Sequence, residues 1–217
     1  MTTEEKINLL QQYDEFAVLT DEQFEILKDM SFDDDNTVRS MVAPFLVDFI
    51  SDASKNILLR LAQDEDELVR TEALDSLSVF PYKDVADFLE KVILNEKNGL
   101  ARSYAILSWT DVLLLLNCVT NEKVAFARDK KETEKSTDCV LSWCYALLVF
   151  GDGNFLNELL HFLKNSDYQI RCATLALLSD IINPSNEKQI KNDVSMLLIA
   201  ENIESVRDRA ERFLKEN

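Results

Sequence analysis

Asp64-Glu65-Asp66-Glu67-Leu68-Val69-Arg70-Thr71-Glu72-Ala73-Leu74-Asp75-Ser76-Leu77 sets acids, a Val-Arg pair, a small residue and a Leu in an order that recurs along the chain. Taking Arg70 as the zero, the same register falls on Arg39, Arg102, Leu141, Arg171 and Arg207, at successive intervals of 31, 32, 39, 30 and 36 residues. Periods of this length belong to helical hairpins stacked in a solenoid. One residue before the zeros lie Val38, Val69, Ala101, Val140, Ile170 and Val206, and seven past them Leu46, Leu77, Trp109, Leu148, Leu178 and Leu214. Three past them lie Val42, Ala73, Ala105, Cys144, Thr174 and Ala210, all small or medium. At about 3.6 residues per turn these positions share one face, so each copy reads as an amphipathic helix with a specified buried stripe.

The pattern resembles the HEAT-repeat family, whose second helix opens on an Asp followed by Val-Arg, a small residue and a Leu. Asp66, Val69, Arg70, Ala73 and Leu77 match it, as do Asp35 with Val38 and Arg39, and Asp167 with Ile170 and Arg171. Asn98 replaces the Asp at Arg102, Leu141 lacks the Arg, and Pro44 falls inside the first copy's helix, so the edge and fourth copies depart from the pattern. The resemblance implies an all-α fold, a right-handed α-α superhelix (HEAT-like solenoid) of about five to six helical hairpins. It also implies that Arg39, Arg70, Arg102 and Arg171 join neighbouring repeats with nearby acids. It names a scaffold and leaves the function open.

Three Gly and three Pro in 217 residues leave few turn formers for a β-rich fold. No Pro/Gly/Ser-rich linker divides the chain, so it reads as a single domain, 1–217, with residues 1–30 as N-terminal capping helices. Thr3 to Leu10 and Asp21 to Met30 are those helices, the first opening on a Thr cap at Thr3 and the second on Thr20 or Asp21. Asp33-Asp34-Asp35-Asn36 is then a turn whose acids cap the next helix; it lacks the glycine and terminal glutamate of a calcium loop. First helices are expected around Ile57–Leu61, Val85–Val92, Leu156–Leu163 and Ile190–Leu198, and turns at Pro81-Tyr82, Gly151-Asp152-Gly153 and Asn183-Pro184-Ser185. The long third interval, 113–137, reads as a longer helix plus a charged insertion. The run Ala127 to Lys135, with mixed charges and no apolar stripe, is expected to be a mobile polar loop.

The N-terminus has neither the basic region nor the apolar core of a signal peptide, and no apolar run nears the roughly 20 residues of a membrane span, which points to the cytoplasm. Cys118, Cys139, Cys144 and Cys172 lack metal-ligand spacing and read as buried reduced thiols. His161 is the single histidine, so no Ser-His-Asp or Cys-His pairing and no zinc site can be assembled, and no glycine-rich phosphate loop is present. The reading is a protein without catalytic residues, metal or cofactor.

Forty acidic against twenty-three basic residues give a formal charge of −17, which disfavours nucleic acid and anionic membranes and favours a basic protein partner. The candidate contact residues lie two, five and nine past each zero, opposite the buried stripe and on the expected concave side. Asp48, Glu72, Asp75, Tyr104, Asp111, Trp143 and Asp180 are the ones selected: acids around large aromatics. The fourth copy is apolar on almost all sides, so Trp143 reads either as groove lining or as internal packing.

The leading function is a non-enzymatic helical-repeat protein whose acidic concave face binds a basic protein. Its sharpest form is a bacterial immunity protein masking a toxin nuclease domain; a general assembly adaptor is the broader form. The alternative is a ligand-handling enzyme such as a bilin lyase, with Asp111 near Trp109 and Trp143 as the acid in an apolar pocket.

Overall fold

The computed structural model describes residues 1–13 and 19–217, and every regular element among them is a helix. The chain forms two compact units, Met1–Val119 and Thr120–Asn217. In the first, α1 (Thr3–Tyr13) precedes three hairpins: α2 (Asp21–Met30) with α3 (Asn36–Phe45), α4 (Asp52–Leu61) with α5 (Glu67–Ser76), and α6 (Lys83–Asn95) with α7 (Gly99–Leu115). In the second, α8 (Asn121–Thr133) pairs with α9 (Thr137–Val149), α10 (Phe155–His161) with α11 (Tyr168–Ile181), and α12 (Glu187–Ala200) with α13 (Glu204–Glu216). The first helices fall where apolar spacing places them, and Pro81-Tyr82, Gly151–Gly153 and Asn183–Ser185 all turn the chain after a second helix.

Each second helix starts from a cap four residues before its zero. The side chains of Asp35, Asp66, Asn98 and Asp167 accept hydrogen bonds from backbone N–H groups of the first turn, satisfying donors that the helix itself leaves open. Ser136 holds the same place before α9. Counting four from Ser136 moves the fourth zero from Leu141 to Val140. That single-residue correction turns the helix by about 100°. The buried stripe of α9 then reads Cys139, Trp143, Cys144 and Leu147, and all four are buried. The same positions are buried in the copies centred on Arg39, Arg70, Arg102 and Arg171, so the stripe inferred from the sequence is the core.

Two further expectations are corrected. The run Ala127–Lys135 is no loop: its residues to Thr133 belong to α8, a regular first helix whose Ala127 is buried and whose Phe126 ring meets Trp143 edge-on at 6.1 Å. The charges lie on its remaining faces, where Lys131 pairs with Glu158 at 2.6 Å and Arg128 pairs with Asp152. At the N-terminus the cap is Thr2 rather than Thr3. Its hydroxyl accepts from Glu5 N–H while the Glu5 carboxylate accepts from Thr2 N–H, a reciprocal capping box. Pro44 stands in the last turn of α3, which passes into a 3-10 turn at Leu46–Asp48, as α5, without a proline, does at Leu77–Val79.

The arginines form a ladder. Six residues before each zero stands a turn acceptor: Asp33, Asp64, Glu96, Glu134, Asn165 or Glu201. Each accepts from the N–H of the residue at or next to the following cap, which holds the turn. Arg39 then reaches Asp64 of the next repeat, Arg70 reaches Glu96 and Arg171 reaches Glu201. Lys6 of α1 takes the arginine's part toward Asp33.

Candidate functional site

Within Met1–Val119 the second helices α3, α5 and α7 pack directly on one another, while the first helices pack mainly on their own partners. The more closely spaced layer of a curved stack lies on its inside, so the exposed face of α3, α5 and α7 is the inner face of this unit. Its positions run two before and two, five and nine past each zero. They read Thr37, Met41, Pro44 and Asp48 on α3 and the 3-10 turn after it, then Leu68, Glu72, Asp75 and Val79, then Leu100, Tyr104, Leu107 and Asp111 on α7. Four acids stand among mainly apolar groups, and none of the twelve is Lys or Arg.

The structure therefore places Asp48, Glu72, Asp75, Tyr104 and Asp111 in one layer of three adjacent helices. Asp48 and Asp75 are exposed, and Glu72, Tyr104 and Asp111 are half-buried. Glu72, on the face expected to be exposed, is instead crowded by Met41, Pro44 and Leu68 in a hollow of about 370 Å³ that Thr37, Ser40 and Phe45 complete. Burial raises the Glu72 carboxyl above its ordinary range, with a smaller push from the neighbouring Asp75 charge. Asp75 keeps an open outer edge, yet the protein around it also raises its carboxyl through partial desolvation. Among the described residues neither carboxylate has a cation partner, whereas Asp64 and Glu96 at the repeat junctions do.

Of the two readings of Trp143, groove lining is corrected and internal packing holds. Trp143 is 1% exposed, packed in the core of its own hairpin, and the reason is the helix phase: it stands three past Val140, on the stripe that Ala73 and Ala105 occupy elsewhere. Internal packing is its role, and it is removed from the contact residues. Trp109 is fully buried as well, in the core of the first unit.

In Thr120–Asn217 the corresponding face of α11 carries Ala173, Ala176 and Asp180, all exposed, and burial again raises the Asp180 carboxyl. On α13 the same positions are Arg209 and Arg212, which flank a small hollow with Leu175, Ser179 and Phe213. The face is thus not acidic throughout, a departure visible in the sequence. His161 is exposed at the end of α10. Among the described residues no cluster of His, Cys, Asp or Glu is arranged to hold a metal ion, and no helix is long and apolar enough to cross a membrane.

Missed by the sequence reading were Leu68 and Leu100, two before their zeros and each about half exposed, at 51% and 50%. A leucine at the first turn of a helix capped by Asp66 or Asn98 reads as core until the cap fixes the phase. Comparison with known proteins agrees with the architecture: residues 22–109, from α2 into α7, match the family model for HEAT repeats. No curated protein matches the chain.

Proposed function

We propose that the chain is a non-enzymatic, cytoplasmic protein-binding scaffold whose inner face holds a basic protein. The observation that carries this reading is the pair Glu72 and Asp75: two carboxylates, partly desolvated, without a cation, on a face of twelve positions with no Lys or Arg. Such an arrangement costs stability in the free protein. A partner's cations would offset that cost. Asp48, Tyr104 and Asp111 border the pair in the same layer, and Asp180 belongs to the equivalent face of the second unit. The charge of −17 steers basic proteins toward the chain and nucleic acid and anionic membranes away from it.

The sharpest form of the reading is an immunity protein that masks a cationic toxin domain, supported by acidity and small size; a general assembly adaptor uses the same face. The test is a pair of capture experiments from cells of the source organism, one with the wild-type chain and one with Glu72→Gln/Asp75→Asn. Proteins retained by the wild type and lost by the variant should be basic, and the variant should be at least as stable as the wild type. Retained partners that are acidic, or that the variant binds equally, would overturn the proposal.

A further inference from the structure

The inner face of Met1–Val119 carries exposed apolar groups beside its acids. Leu68 on α5 and Leu100 on α7 occupy the same register position and are each half exposed. On the α3 side Leu68 borders the hollow of about 370 Å³ floored by Met41, Pro44 and Phe45. Because α5 and α7 pack side by side, and packed helices stand about 8–10 Å apart, the two leucines form a rank at that spacing. Glu72 and Asp75 lie one and two turns further along α5, so the rank runs beside the acids rather than through them.

A partner that covers both features must present apolar side chains about one helix spacing apart, with cations displaced to one side. An α-helix does this with residues seven apart, which are about 10 Å from each other at 1.5 Å per residue, and with cations one and four positions along, which lie on the same side of the apolar pair. Charge complementarity selects the basic form, since the face offers two uncompensated carboxylates and no cation. Resting on the basic-partner reading above, we propose that this face recognises an amphipathic basic helix laid across α5 and α7, its apolar residues on Leu68 and Leu100 and its Lys or Arg side chains over Glu72 and Asp75.

The test uses the full chain and synthetic helical peptides of Ala, Leu and Lys, read by fluorescence anisotropy. One peptide has leucines seven apart with lysines one and four positions after the first leucine. A second, of identical composition, has its leucines five apart, and a third carries Glu in place of Lys. The in-phase basic peptide should bind at least about tenfold tighter than the out-of-phase one, and Leu68→Ser/Leu100→Ser should remove that advantage while leaving thermal unfolding close to wild type. Equal affinity for the two basic peptides would overturn the helix proposal while leaving the basic-partner reading intact. Binding of the Glu peptide as tight as that of the Lys peptides would overturn both. Absence of binding by every peptide would also overturn the helix proposal, with the capture experiment still deciding the wider reading.

Discussion

Arg39 closes on Asp64, thirty-one residues before the next arginine does the same to Glu96, through Nε and Nη2 at 2.8 and 2.7 Å. The other arm of Arg39 donates to the carbonyls of Asp33 and Asp34 in its own turn, at 2.8 and 3.1 Å. One guanidinium thereby ties a turn to the repeat that follows. Both side chains are only 11% exposed, so removing either leaves a poorly hydrated charge behind. Asp64→Ala should cost about 2–4 kcal/mol, near the lower end of what breaking a buried pair costs. The double replacement Arg39→Met/Asp64→Met should cost less than the sum of the singles. A double-mutant cycle in urea measures this, and additive losses would show that the ladder carries no coupling.

The acids of the ladder and of the inner face predict opposite dependence on pH. Hydrogen bonding from Arg39 holds the Asp64 carboxyl below its ordinary range, and Arg171 does the same for Glu201. For such groups the stabilising contribution is full above the unfolded pKa of about 4 and is lost as pH falls through the depressed folded value. Glu72 and Asp75 are raised by burial instead, so the folded state takes up protons first and gains stability as pH falls from neutral toward about 4. The urea midpoint of the wild type minus that of Glu72→Gln/Asp75→Asn should therefore become less negative over that interval. A difference constant with pH would show that the two carboxyls are not desolvated.

The repeat was legible because its signals are local. A cap, an arginine and an apolar stripe recur with the pitch of one helix, and Asp66 through Leu77 contain all of them. Phase was not legible where those markers are missing. Around Val140 there is no arginine, Ser136 is a weak signal, and apolar residues on nearly all sides of α9 fit two registers equally well. Only the turn, where Glu134 accepts from Ser136 N–H at 2.9 Å, fixes the helix rotation. The charged run in α8 failed for a different reason. Its buried side is narrow, with Ala127 alone fully enclosed, and its helix is held by tertiary contacts such as Phe126 on Trp143 rather than by an apolar stripe of its own.

That phase makes a prediction about the tryptophans. The chain has two, Trp109 and Trp143, with 0% and 1% exposure. Native fluorescence should be blue-shifted and resist acrylamide, and Trp143→Ala should cost about 3–5 kcal/mol, as large-to-small changes in cores do. A groove-lining Trp143 would instead be readily quenched and could be truncated at little cost to stability.

The thiols should react in order of enclosure rather than together. Cys118 is exposed, Cys172 is half-buried, and Cys139 and Cys144 are buried, which corrects the expectation of four buried thiols. Burial pushes the Cys144 thiol up to about 12, so it holds almost no thiolate at neutral pH. A thiol reagent should modify Cys118 fast and Cys172 more slowly, with the other two released only by denaturant. Four equal rates in the native protein would contradict the packing of α9.

The last prediction separates encounter from retention on the inner face, once a captured basic partner is in hand. Asp48 and Asp75 are exposed, so their charges act over distance and are screened beyond about 8 Å at physiological ionic strength. Asp48→Lys and Asp75→Lys should slow association and flatten its dependence on salt, with smaller effects on dissociation. Tyr104 is half-buried between its own helix and the open face, and it inherits the anchoring part that Trp143 cannot play. Truncating Tyr104 to Ala should speed dissociation and cost about 2 kcal/mol of binding if the ring is an anchor. Trp143→Phe, a change confined to the core, should leave both rates unaltered. Stopped-flow association and surface-based dissociation measurements distinguish the three. Should Trp143→Phe weaken binding while Asp75→Lys and Tyr104→Ala do not, the contact surface lies outside the inner layer of α3, α5 and α7.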